Sequence, residues 1–368
     1  MSALKEVTCA EPFESFVLPI SKGYVNHWGI QEAIRELIQN AIDGVGKFSF
    51  DILDSSLIIT SEGVKLSPSD LILGNSTKRD EVGSIGKFGE GFKLAMAVLA
   101  REDREIIVYN GNVTWIPVYK YSETFGDQVL HIDEYYMQSH KDSEDLSFVI
   151  RNMTKEELEL VVNNCLQMRE AGETIDVSKG QILLDEPGKL YVNGLYVTDT
   201  KLKYGYNIKP EFLKIERDRQ TVSDFDLQWI TGNMWGQVKG RNESIALDIA
   251  NAVPDVSYLS DTTPSYSVSD IADSCAELFT KSFGDSVPVS TQQEANELTE
   301  LGKKAAVVPS NYVRIIKQSS SYVHVSMPKP RTPADELKDF LKANKKYMRR
   351  QAIVSMKQLI DSAVNWRQ

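Results

Sequence analysis

The chain has 368 residues, enough for two domain cores, and its 42% hydrophobic and 25% charged residues are typical of a folded globular protein. The formal net charge is −11, which argues against a global positive field that would attract nucleic acid or an anionic membrane. The three cysteines (Cys9, Cys165 and Cys275) lack CxxC spacing, so neither a disulfide framework nor a zinc site is expected. With no apolar run long enough to span a bilayer, we expect a cytoplasmic protein without membrane contact.

Local patterns in the first half predict alternating helix, strand and loop segments. Residues 1–25 are predicted to be an extended lead-in, and Asn26 is expected to cap a helix that continues to Ala41. The β-rich segment 48–60 predicts two strands around a turn. Residues 63–91 then form a long, polar, glycine-bearing segment with little periodicity. A loop of this length inside a compact domain is usually functional or mobile.

A second helix is predicted from near Glu90 to Arg101, followed by strands and one charged helix at 154–171. The strand segments are REIIVYN, NVTWIPVYKY, QVLHIDEYY, LSFVIRNM, GQILL and GKLYVNGLYV. Helices are predicted at 222–252 and 267–283, an α/β unit at 292–317, and a helical tail at 334–366. We therefore predict three regions: residues 1–220, a helix-rich second domain at 221–317, and a linker with the tail at 318–368.

The first candidate site motif lies on the first predicted helix. Glu36, Asn40 and Asp43 are spaced by four and three residues, which places them on one helix face beside the apolar positions. A carboxylate in a pocket can orient and deprotonate water, and an amide oxygen one turn away can ligate Mg²⁺. Taken alone, the same spacing also fits an ordinary amphipathic helix.

The second motif is the run Gly83-Ser-Ile-Gly86-Lys87-Phe-Gly89-Glu-Gly91-Phe-Lys93, immediately ahead of an apolar helix. Glycines let backbone N–H groups approach phosphate oxygens, and a helix N-terminus adds a positive dipole end, so this segment could cradle an anion. It contains no GxxxxGK[ST] sequence, and no strand leads directly into it, which excludes a P-loop and a Rossmann fingerprint. A flexible structural loop is the alternative.

In this order and spacing, the two motifs resemble the N-box and glycine-rich lid of the Bergerat-fold (GHKL) ATPase superfamily, which includes gyrase, heat-shock chaperone, histidine-kinase and mismatch-repair ATPases. The resemblance covers roughly residues 20–200. It implies a Bergerat-fold α/β sandwich for the first domain. Together with the helix-rich α/β second domain and the helical tail predicted from local patterns, the expected fold class is α+β. The segment Gly74-Asn-Ser76-Thr77-Lys78 is similar to the stretch that opens the lid in this superfamily.

The resemblance implies a role for each motif residue. Glu36 would be the general base, Asn40 would ligate Mg²⁺ and contact ATP, and Asp43 would support the pocket wall. The residues implied to contact the nucleotide from the lid and its flanks are Ser76, Thr77, Lys78, Gly86, Lys87, Gly89, Gly91 and Lys93. The cofactors implied are therefore ATP and Mg²⁺.

The segment Leu57-Ile-Ile-Thr-Ser61-Glu62-Gly63 departs from the superfamily pattern. The adenine-reading Asp of the family falls on Ser61, and the first family glycine falls on Gly63. A serine hydroxyl is a weaker and rotatable partner for the adenine amino group than a carboxylate. Glu62 could substitute after a register slip of one residue, although a slip turns the side chain to the other face.

A basic run from Lys338 to Arg350 departs from the acidic character of the chain and fits either a solvated helix face or a binding surface. Its basic residues include Lys342, Lys345, Lys346, Arg349 and Arg350.

The function expected from these features is Mg²⁺-dependent ATP binding with slow hydrolysis, in which lid closure drives a conformational switch or homodimer formation. A nucleotide-binding regulatory module without turnover, and an accessory protein in DNA transactions, are the alternatives.

Overall fold

The computed structural model of the chain describes residues 11–44, 46–72, 91–136, 143–213, 222–262, 265–324 and 333–365. It divides into two units, the first formed by Met1–Arg241 with Ala252–Ser267 and the second by Asn242–Asn251 with Val268–Gln368. Helices and sheets are both abundant, so the fold is α+β. No helix among the described residues is long and apolar enough to cross a bilayer.

A large antiparallel sheet dominates the first unit. Its strands lie in the order β1-β6-β5-β4-β7-β3-β2, and every neighbouring pair is antiparallel. The strands are β1 (Glu14–Ser21), β2 (Phe48–Leu53), β3 (Ser56–Ser61), β4 (Glu105–Asn110), β5 (Val113–Ser122), β6 (Asp127–Tyr136) and β7 (Leu146–Arg151). The predicted pair of strands at 48–60 is confirmed, and Asp54, with φ +54°, supplies the left-handed residue of their turn.

Three helices belong to this part of the chain: α1 (Ile30–Ile42), α2 (Gly91–Arg101) and α3 (Lys155–Asn163). The predicted bounds of α2 are confirmed, whereas the predicted start of α1 at Asn26 is wrong. Gly29 is extended at φ −105° and ψ −169°, and its N–H donates to Glu32 Oε2 at 2.8 Å, so the helix begins at Ile30. Val25, with φ +48°, lies in the turn before it.

The first two helices cover one face of the large sheet. Ala33, Ile34 and Leu37 of α1 are at most 1% exposed and share one core with the apolar face of α2. Leu57 and Ile59 of β3 belong to the same core. Because side chains alternate along a strand, Ser61 lies on the same sheet face as these two residues, which is the face that α1 covers.

A second, smaller sheet follows α3, with strand order β11-β10-β12-β9-β8. Its strands are β8 (Thr174–Val177), β9 (Gly180–Leu183), β10 (Lys189–Val192), β11 (Leu195–Asp199) and β12 (Gly205–Ile208). The predicted strand segment GQILL contains β9, and GKLYVNGLYV forms the antiparallel pair β10–β11. Strand β8, which is not among the predicted segments, pairs antiparallel with β9, whereas β10 and β12 pair in parallel.

Helices α4 (Asp224–Trp235) and α6 (Leu259–Thr262) also belong to the first unit, where a buried polar network links its segments. Asp255 is fully buried and accepts hydrogen bonds from the N–H groups of Lys203 at 2.9 Å and Tyr204 at 3.1 Å, and from Tyr206 Oη at 2.5 Å. Trp235 Nε1 donates to Tyr206 Oη at 2.8 Å. The network therefore joins β12, α4 and the turn around Asp255.

The remaining elements are α5 (Asn242–Ala250), α7 (Ser265–Phe283), α8 (Gln292–Glu300), α9 (Ser310–Ile316), α10 (Pro333–Asn344) and α11 (Arg350–Asn365). The second unit also contains β13 (Val287–Val289) and β14 (Ala305–Val307), which pair in parallel on either side of α8 in the sequence. This arrangement confirms the α/β unit predicted at 292–317.

Candidate functional site

One face of α1 carries a row of polar side chains that is withdrawn from solvent. Glu36 is 5% exposed and Gln39 is 1% exposed, while Asn40 and Asp43 are half-buried. The apolar residues of α1 occupy the neighbouring face, so the row lies along the border between the core and the surface. Two carboxylates and two amides are therefore concentrated in a sheltered position.

The start of α2 lies directly against this polar row. A Cβ placed on Gly91 would lie 3.2 Å from Glu36 Cδ and 3.6 Å from Asn40 Nδ2, and it would collide with Glu36 Oε2. Any residue larger than glycine would therefore have to displace the carboxylate. The structure thus brings Gly91, Glu36 and Asn40 together across 55 residues of sequence.

The Asn40 amide has an unused hydrogen-bonding group in this sheltered position. Its Nδ2 atom is buried and has no hydrogen-bond partner within the described residues. An amide can exchange the positions of its oxygen and nitrogen by rotating about its last side-chain bond. Because Nδ2 makes no hydrogen bond that such a rotation would break, the side-chain oxygen is able to face a ligand. This suits a hard cation, which takes oxygen ligands.

Gln39 is a member of the site that the motif comparison misses. Its Nε2 atom lies 3.5 Å from Asp43 Oδ2, and its backbone carbonyl accepts from the Asp43 N–H at 2.8 Å. Asp43 closes the C-terminal end of α1 and is held by the residue one turn before it. The spacing of four residues is visible in the sequence, but the near-complete burial of Gln39 depends on packing.

Lys93, expected near phosphates, is fully buried. Its ammonium group donates to the Ile72 carbonyl and lies 5.4 Å from the centre of the Phe92 ring. Ile72 and Gly91 are the described residues on either side of segment 73–90. Lys93 therefore ties Ile72 to the first turn of α2.

Arg101, at the C-terminal end of α2, holds the chain that leads into α1. Its guanidinium contacts the carbonyls of Tyr24 at 3.4 Å and of Lys22 and Val25 at 3.5 Å, and it also donates to the Trp28 carbonyl. One planar cation with several donors can satisfy several carbonyls that no helix or sheet uses. No sequence motif predicted this role.

Ser61 and Gly63 lie at the end of β3, between β2 and β7. Ser61 pairs with Phe48 and Leu146. Gly63 has φ +67°, which favours glycine, and its N–H donates to Asp145 Oδ1 at 2.9 Å. The strand keeps the register in which Ser61 faces the α1 side, and the exposed Glu62 follows the strand end.

The loop after Gly63 is held by a buried asparagine. Asn110 is 5% exposed; its Oδ1 accepts from the Leu66 N–H at 2.9 Å and its Nδ2 donates to the Leu66 carbonyl at 2.8 Å. The Asn110 side chain thus satisfies both the backbone N–H and the backbone carbonyl of Leu66, as a neighbouring strand would. The loop next to Ser61 is consequently fixed to the end of β4.

Comparison with known proteins finds no protein-family model that matches the chain. The chain is similar to an uncharacterized protein of Mycoplasma pneumoniae, with 30% identity over 221 residues that cover 55% of this chain and 89% of that protein. The two proteins belong to one family. The name of the mycoplasmal member specifies no activity.

Several predicted site residues lie outside the described part of the chain: Ser76, Thr77, Lys78, Gly86, Lys87 and Gly89. Their predicted roles toward a nucleotide remain predictions. Within the described ranges, no group of three or more His, Cys, Asp or Glu side chains is arranged to hold a metal ion. Cys165 and Cys275 are buried free thiols, and Cys9 precedes the described residues.

Proposed function

We propose that the first unit is a Bergerat-type nucleotide-binding domain that binds ATP with Mg²⁺ and hydrolyses it slowly. The observation that carries this proposal is the position of Gly91, where a Cβ would meet the side chains of both Glu36 and Asn40. An acid, an amide and the N-terminal residue of helix α2 then lie together, as phosphate binding and water activation would require.

In the proposed reaction, the Glu36 carboxylate accepts a proton from a water molecule as the water oxygen attacks the γ-phosphorus of ATP. The bond from that phosphorus to the bridging oxygen breaks, and ADP leaves with the bonding electrons. The burial of Glu36 supports this role. Where bulk water is excluded, the interaction between the carboxylate and one bound water molecule is stronger than it would be in solvent. The Gly91 backbone limits where that carboxylate can move.

Asn40 is the residue proposed to hold the metal ion through its side-chain oxygen. Bound Mg²⁺ would neutralise charge on the phosphate oxygens of ATP. Asp43, held by Gln39, would keep the end of α1 in place beside the nucleotide. The lid role that the resemblance implies for the glycine-rich segment falls mainly on residues 73–90, outside the described part of the chain.

Calorimetric titration of the full chain with ATP and Mg²⁺ tests the binding step. We expect saturable, Mg²⁺-dependent binding that Asn40→Ala abolishes and that the exposed-site control Asn251→Ala leaves unchanged. Glu36→Gln should spare binding and remove phosphate release, whereas Glu156→Gln, on the exposed face of α3, should alter neither. Absence of ATP binding, or equal binding by Asn40→Ala, would overturn the proposal.

A second candidate function is a nucleotide-binding regulatory module without turnover, and Ser61 favours it. A neutral hydroxyl stands where the superfamily has a carboxylate, which weakens the recognition of adenine. This candidate predicts that Glu36→Gln changes no measurable property of the protein.

The conformational switch proposed for the first candidate, including homodimer formation, is tested by light scattering with and without a non-hydrolysable ATP analogue. The analogue should raise the measured molar mass if dimers form.

A further inference from the structure

The basic run near the C-terminus forms the turn of a helical hairpin. Helices α10 and α11 are joined by a 3₁₀ turn at Lys345–Tyr347. Asn344 Nδ2 donates to the Phe340 carbonyl at 2.9 Å, and the Met348 N–H donates to the Lys345 carbonyl at 3.4 Å. These bonds give the turn a defined shape instead of leaving the basic residues on an irregular tail.

Six cations are exposed on and beside this turn, at Lys342, Lys345, Lys346, Arg349, Arg350 and Lys357. None of them forms an ion pair with another described residue, whereas Lys338, earlier on α10, pairs with Asp335 at 3.5 Å. No Asp or Glu occurs between Asp339 and Asp361. Segment 340–360 therefore carries +6 in a chain of −11, which leaves −17 on the rest. A polyanion would be attracted to the turn and repelled elsewhere.

An aromatic ring stands among these cations. Tyr347 is 78% exposed, and the Lys346 ammonium lies 4.7 Å from the centre of its ring. A ring presented in this way can stack on an unpaired base while the neighbouring cations contact phosphates, which is how proteins bind single-stranded nucleic acid. Bases inside a duplex are already stacked and offer no such partner.

The apolar residues of the hairpin do not favour a lipid surface as the partner. An interfacial helix inserts a continuous apolar face into the bilayer. Ile360 is buried and Ile353 and Met356 are half-buried along α11, whereas Phe340, Val354 and Leu359 are exposed. Val354 and Leu359 are five residues apart, which is about 140° around the helix, so they form no continuous apolar face. The turn itself, at residues 345–350, exposes four cations and the ring of Tyr347. We propose that the α10–α11 turn is a binding surface for single-stranded nucleic acid, a function separate from the nucleotide site of the first unit.

Fluorescence anisotropy of the full chain with a labelled single-stranded oligonucleotide tests this surface. Replacing Lys345, Lys346, Arg349 and Arg350 with glutamine should weaken binding and flatten the plot of log affinity against log salt by about 0.7 per cation removed. The control replaces the exposed Lys201, Lys239, Lys281 and Lys303 with glutamine, which changes the net charge equally. It should leave the salt dependence unchanged.

The stacking part of the proposal is tested separately at Tyr347. Tyr347→Ala should weaken binding of the single strand roughly 5- to 150-fold, while Tyr347→Phe should retain it. A duplex of the same sequence should bind more weakly than the single strand. The proposal is overturned if no oligonucleotide binds at low salt, if the two charge-neutralised proteins behave alike, if the duplex binds as well as the single strand, or if only phosphatidylserine vesicles are bound.

Discussion

The backbone of Gly91 lies against the carboxylate of Glu36, so the first residue of α2 determines the space open to an acid in the middle of α1. Gly91→Ala should displace that carboxylate. We expect roughly a 100-fold loss of ATP turnover, since small misplacements of a reacting group are this costly, with a smaller effect on ATP binding. Gly23→Ala is the control, because a Cβ there meets no atom within 4 Å. Unchanged turnover in Gly91→Ala would contradict the assignment of Glu36.

Lys93 should stabilise the fold through the Ile72 carbonyl. Lys93→Met keeps the length of the side chain but leaves that carbonyl without its donor, so the free energy of unfolding should fall by about 1–3 kcal/mol. Urea denaturation measures the change. Lys47→Met, at an exposed position, should stay within ~0.5 kcal/mol of the parent protein. If both variants are equally stable, the buried ammonium does not stabilise the folded state.

Arg101 should control the order of the segment that enters α1. Arg101→Lys keeps the charge but loses the planar set of donors that reaches the carbonyls of residues 22–28. Hydrogen exchange of the backbone amides in this segment should accelerate, and mass spectrometry of peptides covering it would detect the change. Arg314→Lys, which alters a guanidinium bonded to the Asn311 side chain in the second unit, should leave this segment unaffected. Equal exchange in all three proteins would exclude the role given to Arg101.

Asp255 should make stability depend on pH. Burial raises the pKa of this carboxyl above its ordinary value of 3.8, although hydrogen bonds from Tyr206, Lys203 and Tyr204 oppose the shift. Between the ordinary and the raised pKa, the folded state holds more protons than the unfolded state, so its stability falls as pH rises. Asp255→Asn lacks this titration.

The unfolding free energy of the parent protein, relative to that of Asp255→Asn, should therefore be highest at low pH, where the buried Asp255 is protonated. It should decline as pH rises from about 4 through the raised pKa of Asp255. Urea unfolding of both proteins across this range measures the trend. A difference that grows with pH would mean that the folded state lowers the pKa of this group.

Local patterns predict much of the fold of this chain. Apolar and polar residues alternate along 48–60, and the polar pair Asp54-Ser55 interrupts them. Both are properties of adjacent residues, and they predict β2, β3 and their turn. The start of α1 could not be predicted in this way. Asn26 is a good capping residue, but the contacts of Arg101 and the bond from Gly29 to Glu32 determine where the helix begins.

The candidate site was predicted only in part from the sequence, because part of it depends on contacts between residues that are distant in the chain. The spacing of Glu36 and Asn40 predicts a shared helix face, but their contact with Gly91 depends on how two helices pack. Nothing in the sequence distinguishes Gln39 from a solvent-exposed helical glutamine, whereas in the structure it is 1% exposed. The pairing of Ser61 with Leu146 joins strands 85 residues apart, which no local pattern predicts.

Helix α2 touches the region of α1 at both of its own ends. Gly91 meets the middle of α1, and Arg101 grips the segment that precedes α1. Eleven residues of α-helix form a stiff rod about 16 Å long. Under the proposed function, ATP that displaced the glycine end of α2 would move the stretch around Trp28 with it, and a distant part of the surface would report the binding event.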